Sequence, residues 1–340
     1  MRVIASVSNL RRVNLQVMAH IRIPCSHRDS VDGKPAHELY IEKDGSALQT
    51  SLAEWTRPII SNLSEHISEL PICKRFGCTP CTSLIRRYRP TERRGHYEHV
   101  DGHAAATAVI SLSRSHDFSG GLYLSNLTDR RLLRLDAGDA VFHTSDLFHG
   151  VHVQQGERWS WIIWFRTDPH CTMAGSQHWF KERAEVDGDP LSQFLHASRA
   201  GQMFRSPQQR HATSAQWLNR SAHGGFAPAM HALGNAHAKG EGVPASPREA
   251  AYWLERAVRS SGSASLSAAF AGGPSVGSRA AFDLATLLMH GEEHGWPSPL
   301  AEGVDPSARA MELLVDAAAD GHVRAEEALA RRADADAASA

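Results

Sequence analysis

No stretch of this 340-residue chain is apolar over the roughly 18 residues that a membrane-spanning helix needs, so no membrane partner is expected. The opening residues, MRVIASVSNLRRVNLQVMAHIRIP, lack a long apolar core followed by a small-residue cleavage site and do not read as a secretory leader. Neither sign of charge is in excess. Lysine and arginine total 36 against 37 acidic residues, a formal net of −1 that supplies no field for drawing the protein to nucleic acid. Cysteine is scarce: five residues, Cys25, Cys73, Cys78, Cys81 and Cys171, are too scattered for a disulfide framework, and a reducing, cytoplasmic setting is expected. Cys78-Thr79-Pro80-Cys81 has no second pair at zinc spacing and no strand–helix context of the thioredoxin kind, so ordinary thiols are expected there. What the chain has in abundance is histidine, 21 in all, with several between His96 and His152.

Periodicity divides the chain. Residues 1–46 show little of it and are expected to be poorly defined. From Ala47 to Leu70 apolar residues recur at helical spacing, with Pro58 marking a break or kink. Across 82–166 short β-rich runs follow one another (SLIRRY, TAVISLS, GLYLS, RLLRL, DAVFH, GVHV, WSWIIWF). Turn signals at Ser119-Gly120-Gly121, Ala137-Gly138-Asp139 and Gln155-Gly156-Glu157 separate them, a pattern that predicts a β-sandwich or jelly roll. Beyond Cys171 the composition turns to alanine-rich helix with an internal repeat: Ala215-Gln216-Trp217-Leu218 is echoed 36 residues later by Ala251-Tyr252-Trp253-Leu254, and more loosely by Ala310-Met311-Glu312-Leu313. Second helices, APAMHALGNAHAKGEGVP and AAFDLATLLMHGEEHG, fall between the copies, and the Ser/Gly/Ala-rich stretch 263–278 reads as an inserted loop. One helical hairpin cannot bury its own apolar face, so such units must stack.

The residues that carry chemistry are His99-Val100-Asp101 and, downstream, the run His149-Gly150-Val151-His152-Val153-Gln154-Gln155-Gly156-Glu157-Arg158-Trp159-Ser160. In a strand, residues i and i+2 face the same way, so His99 and Asp101 can present an imidazole and a carboxylate to one ion. Two histidines and one carboxylate on one face of an octahedron leave three positions open, the arrangement that suits iron(II) enzymes. His96, His103, His143 and His152 flank these positions and are expected to be supporting or surface residues. The basic run Arg86-Arg87-Tyr88-Arg89 is expected at the surface, with an arginine-lined entrance for a carboxylate-bearing substrate as the sharper reading.

The order of H-x-D, Gly120-Gly121, Ala137-Gly138-Asp139, H-G-V and the final RWSWIIWF strand resembles the prolyl 4-hydroxylase-like branch of the 2-oxoglutarate/iron(II) dioxygenases over about residues 82–166. The segment ALGNAHAKGEGVP…EAAYWLERA resembles the Sel-one-like repeats, relatives of tetratricopeptide repeats, over about 184–330. The resemblance implies an α+β chain of two domains, a double-stranded β-helix (jelly roll) followed by an α-helical repeat solenoid. The segments would be 1–46 poorly defined, 47–171 dioxygenase, 172–183 linker, 184–330 repeats and 331–340 disordered tail. It also implies that His99, Asp101 and His149 hold Fe(II), and that Arg158, with Ser160 and Tyr88, holds 2-oxoglutarate. O2 would be the oxidant and ascorbate a candidate reductant. The activity implied is hydroxylation of a peptidyl (prolyl among others) or small-molecule substrate, with a protein partner for the repeats. Tyr97 sits closer to His99 than its counterpart in many prolyl hydroxylases, a departure from that pattern. A reading from another class stays open beside this one, in which the β-domain is an inactive platform and the chain a binding or adaptor module.

Overall fold

A computed structural model of the chain describes residues 5–6, 25–28, 35–125, 130–172, 178–200, 205–260, 274–293, 300 and 302–339. Two compact units divide it, one of Met1–Asn126 with Arg130–Trp179, the other of Leu127–Asp129 with Phe180–Ala340.

The first unit is built on two antiparallel sheets. Its strands are β1 (Ala5–Ser6), β2 (Cys25–Arg28), β3 (Pro35–Lys43), β4 (Ser46–Ala47), β5 (Thr79–Tyr88), β6 (Gly95–His99), β7 (Ala106–Ser111), β8 (Phe118–Ser125), β9 (Arg130–Leu132), β10 (Asp139–Thr144), β11 (Phe148–Gly156) and β12 (Arg158–Arg166). The larger sheet runs β1-β10-β7-β12-β5-β3-β2 with β4 paired to β3, and the smaller runs β6-β11-β8-β9. Alternation along β12 explains how the unit is layered. Trp161, Ile163 and Phe165 point to one face, where they meet Ile59, Leu63 and Ile67 of α1 (Ala53–Ser68). Arg158, Ser160, Ile162 and Trp164 point to the other, into a cavity between the sheets. Each fully buried Leu or Ile of the first layer contributes about 1.5–3 kcal/mol over leaving it in water.

Four expectations need correcting in this unit. Residues 35–43 form a nine-residue strand of the main sheet, although the stretch 1–46 was expected to be poorly defined. Its pattern is masked because one inward position is Glu38, a buried carboxylate that only its arginine partners make tolerable. Pro58 does not break α1: the helix continues to Ser68, because the lost backbone bond is outweighed by an apolar face packed on the sheet. Strand β6 carries no apolar alternation, and Asp101 lies past its end rather than within it. Cys78 and Cys81 are not the ordinary thiols expected. Cys73–Cys78 and Cys81–Cys171 are disulfides. Antiparallel pairing of β5 with β12 sets Thr79 opposite Arg166 and so brings Cys171 back to Cys81 across 90 positions. Such bonds persist in oxidising compartments, which runs against the reducing setting expected from cysteine count.

The second unit is helical: α3 (His178–Glu185), α4 (Pro190–Ala200), α5 (Pro207–His223), α6 (Ala227–Lys239), α7 (Pro247–Ser260), α8 (Val276–Glu293), α9 (Pro306–Ala319) and α10 (Val323–Ser339), with α2 (Pro71–Phe76) belonging to the first unit. From α4 onward each helix packs on the next in sequence. Alanines at Ala250, Ala251, Ala257, Ala281, Ala285, Ala310 and Ala317 are buried at these contacts, so the backbones approach closely. The supposed linker 172–183 contains the start of α3, and the supposed tail 331–340 is helical to Ser339, as its alanine content favours. Of the expected loop 263–278, residues 263–273 lie outside the described residues and Val276 already begins α8.

Candidate metal centre

Three of the smaller sheet's and its neighbours' side chains converge at one end of the cavity. His99 ends β6, His149 sits directly opposite it in β11, and Asp101 follows two residues beyond β6. One ligand atom from each lies within 4.8 Å of the others. Nε2 of His99 is 3.5 Å from Asp101 Oδ1, and Nε2 of His149 is 3.6 Å from Asp101 Oδ2. Asp101 is buried, and its position off the strand is fixed by Thr107, whose hydroxyl donates to Oδ2 at 2.6 Å. A glycine permits the convergence. A Cβ on Gly150 would stand 2.3 Å from the Tyr123 hydroxyl oxygen and 2.8 Å from the His96 carbonyl oxygen, so no side chain fits beside His149. Gly120 serves the same sheet: its φ of +83° and the 2.1 Å from its Cβ position to the His152 carbonyl exclude a side chain there.

The electrostatics suit a cation. Burial pushes the His149 imidazole down to about 3, with His143 adding to the effect, so the ring is neutral near pH 7. Its Nδ1–H donates to the Leu147 carbonyl at 3.0 Å, which leaves the Nε2 lone pair facing Asp101. Burial would raise the Asp101 carboxyl, but His149 and His99 outweigh it and hold the group well below the usual carboxylate range. Two imidazoles and an ionised carboxylate are a donor set for a divalent first-row ion, iron(II) included, that leaves coordination sites for further oxygen ligands. The residues present therefore fit such a metal.

The other sequence-predicted residues line the same cavity, of about 340 Å³. Arg158 and Tyr88 face each other across β12 and β5, with the guanidinium carbon 5.7 Å from the Tyr88 ring centre. Arg158 Nη1 donates to Ser160 Oγ at 3.2 Å. Its Nη2 is buried and has no hydrogen-bond partner among the described residues. Burial lowers the pKa of this guanidinium, and the group that opposes the shift is the Tyr88 phenol rather than a carboxylate. A buried cation without an acid favours an anionic ligand.

The structure also brings in residues that sequence reasoning had set aside. His96 and His103 line the cavity, with the His96 ring stacked on His99 at 3.9 Å and the His103 ring against Trp164 at 4.9 Å. His143 packs its ring 4.3 Å from His149, and its Nδ1–H donates to the Thr144 carbonyl. His152 is buried outside the cavity lining. Arg86, expected at the surface, is buried in the cavity wall and bound to Glu38. Arg86 lies two residues from Tyr88 and shares its inward parity, and Thr107 lies two residues from the cavity-lining Val109, a parity that shows only once the strands are placed. The Tyr97 side chain lies outside what the structure describes.

The first unit thus places a two-histidine, one-carboxylate cluster and a buried arginine in one cavity of an antiparallel two-sheet β structure. No protein-family model matches the chain, and no curated protein matches it. Solved structures do. An oxidoreductase of the 2OG-Fe(II) oxygenase family from Burkholderia pseudomallei is 13% identical over 49% of this chain and 85% of its own, with a TM-score of 0.40. A prolyl-4-hydroxylase from Pseudomonas putida is 18% identical over 48% of this chain and 91% of its own, with a TM-score of 0.39. A Sel1 repeat protein from Oxalobacter formigenes is 19% identical over 45% of this chain and 54% of its own, with a TM-score of 0.32. The similar structures thus include 2OG-Fe(II) oxygenases, prolyl hydroxylases and a Sel1 repeat protein. Likeness this distant leaves the functional reading to the chemistry of the site.

Proposed function

We propose that the chain is a 2-oxoglutarate- and iron(II)-dependent oxygenase that hydroxylates a peptidyl or small-molecule substrate. In this reading residues 47–171 form a catalytic double-stranded β-helix, extended by the strand at 35–43, and residues 184–330 form a repeat solenoid that contacts a protein partner or protein substrate. The observation that carries it is one cavity holding both His99, Asp101 and His149 and the buried Arg158 guanidinium with an unpartnered Nη2. A metal-binding end and an anion-binding end in one enclosure match a ligand with two carboxylates.

His99 and His149 would hold the metal through their imidazoles, and Asp101 would hold it through a carboxylate that Thr107 keeps oriented. The chemistry a bound iron(II) supplies is the coupling of 2-oxoglutarate decarboxylation, to succinate and carbon dioxide, with hydroxylation of the substrate by O2. Arg158, braced by Ser160, would fork the far carboxylate of the 2-oxo acid, and a planar guanidinium suits that task better than an ammonium. Val109, Leu122, Val151 and Ile162 give the cavity apolar walls that exclude water from the reacting groups. His103 and Trp164 line the cavity as well and supply an aromatic wall for the substrate.

The test is succinate release from 2-oxoglutarate with Fe(II), O2 and ascorbate, screened against pools of peptides, amino acids and small metabolites. His99→Ala and Asp101→Ala are each expected to abolish iron-dependent succinate formation. Turnover that persists undiminished in either variant sinks the assignment.

A further inference from the structure

The basic run at the end of β5 splits by strand parity. Arg87 points outward, donating through Nε and Nη2 to Glu92 at 3.0 and 2.7 Å and lying over the Trp159 ring, and Arg89 pairs with Glu157. Arg86 points inward. It is buried, lines the cavity, and stands directly opposite Ser160 of β12, two register positions from the facing pair Arg158 and Tyr88. Arg86 Nη2 is 2.5 Å from Glu38 Oε1, and its Nη1 donates to the Tyr88 hydroxyl at 3.4 Å. Its Nε is buried and has no hydrogen-bond partner among the described residues.

A guanidinium placed there for packing alone is hard to account for. Burying an ion pair returns about what its desolvation costs, and an apolar side chain would continue the wall formed by Leu84. Glu38 does not belong to Arg86 alone either, since the same Oε1 atom lies 3.4 Å from Arg93 Nη1. The arrangement is that of a buried cation aimed by an acid behind it, with donor capacity left over. Arg158 beside it has the same surplus at Nη2. Arg86 donates to the Tyr88 hydroxyl and Arg158 to the Ser160 hydroxyl, and all four residues line the cavity on adjacent inward positions of β5 and β12.

We infer that Arg86 is a second arginine for the distal carboxylate of the 2-oxo acid, acting with Arg158, and that together they select a dicarboxylic over a monocarboxylic 2-oxo acid. This rests on the 2-oxoglutarate reading above and deepens it. The site binds the far carboxylate from two sides, and Glu38 is a positioning residue that acts through Arg86.

Equilibrium binding to Mn(II)-loaded full-length protein, followed by calorimetry, tests this without turnover. The two probes are 2-oxoglutarate and 2-oxopentanoate, of equal chain length, the second with a methyl group in place of the distal carboxylate. Wild type is expected to prefer 2-oxoglutarate. Arg86→Gln should weaken 2-oxoglutarate by about ten- to a hundredfold, the worth of hydrogen bonds to a charged group, and leave 2-oxopentanoate within about twofold. Arg86→Lys keeps the charge but not the fork and should weaken 2-oxoglutarate by roughly three- to tenfold. A purely structural Arg86 would lower both affinities together, or neither, and either result overturns the inference. If Arg86→Gln fails to fold, Arg86→Lys decides alone: an unchanged preference between the two acids overturns the inference. Binding that is lost in Arg158→Gln but unaltered in both Arg86 variants refutes the role of Arg86 and leaves the oxygenase reading standing. A wild type that binds neither acid removes both.

Discussion

Replacing Thr107 with valine nearly preserves the shape of the side chain and deletes one hydrogen bond, the 2.6 Å donation to Asp101 Oδ2. Both groups are buried, so water cannot take over the lost donor without rearrangement. A hydrogen bond to an ionised acceptor contributes about 1.5–3 kcal/mol, and its loss leaves a buried carboxylate oxygen with His149 Nε2 3.6 Å away. Asp101 lies beyond the end of β6, so strand pairing does not orient its carboxylate and Thr107 does. Outer partners of metal ligands of this kind are worth about 10–100-fold in metal affinity, a range that agrees with the energy of the bond deleted. We expect Thr107→Val to raise the dissociation constant for Mn(II) or anaerobic Fe(II) by about 10–100-fold. Thr107→Ser, which keeps the hydroxyl, should recover most of the loss. The assay is a metal titration of folded protein, with circular dichroism confirming the fold. An affinity within twofold of wild type would refute the reasoning, because it would mean that Asp101 is oriented by something other than Thr107.

Three further outcomes follow from the geometry. Chain-entropy arguments assign about 4–5 kcal/mol to the Cys81–Cys171 bond and about 2 kcal/mol to Cys73–Cys78, because the first closes a loop of 90 positions and the second one of 5. Denaturant unfolding of Cys171→Ala against Cys78→Ala should rank them so, and equal losses would show that loop closure is not the source. Gly150→Ala places a methyl group 2.3 Å from the Tyr123 hydroxyl and 2.8 Å from a backbone oxygen, and should cost about 1–3 kcal/mol by overpacking. Unchanged unfolding free energy would contradict the packing described. In the helical unit, burial raises the Asp283 carboxyl, but hydrogen bonds from His231 and Asn235 outweigh it and lower the group below its ordinary value. A depressed folded value means that the unfolded chain takes up protons first. The stabilisation is therefore complete above about pH 4 and is lost as pH falls through the folded value. Asp283→Asn should flatten that part of the stability–pH curve, and an identical slope in the two proteins would rule the contribution out.

How much was legible in the sequence depended on whether one strand or helix carried the signal by itself. The β-rich run WSWIIWF was expected as a strand, with Arg158 and Ser160 beside it as residues for one ligand by resemblance, and the structure has that strand at Arg158–Arg166. The repeated Trp-Leu pairs announced helices later found at Pro207–His223 and Pro247–Ser260. The elements missed owe their stability to partners distant in sequence. The strand expected through His99 and Asp101 has no apolar alternation of its own; it forms where β11 pairs with it and ends at His99, short of Asp101. PAHELYIEK hides its inward parity behind Glu38, whose charge makes sense only beside Arg86 and Arg93, some fifty residues away. Cys81 and Cys171 meet only once β5 lies against β12. At the candidate site, His99, Asp101 and His149 were visible as residue types in order. Thr107 and Arg86 were not, because a threonine in an apolar strand and an arginine in a basic run look ordinary until the fold turns them inward.

The most direct test of the central claim is anaerobic equilibrium titration of the metal-free full-length protein with Fe(II), for wild type and for Asp101→Ala. The account predicts one saturable iron(II) site per chain in wild type and its loss in the variant. Absence of a one-to-one site in wild type, or a site that survives unchanged in Asp101→Ala, would contradict it.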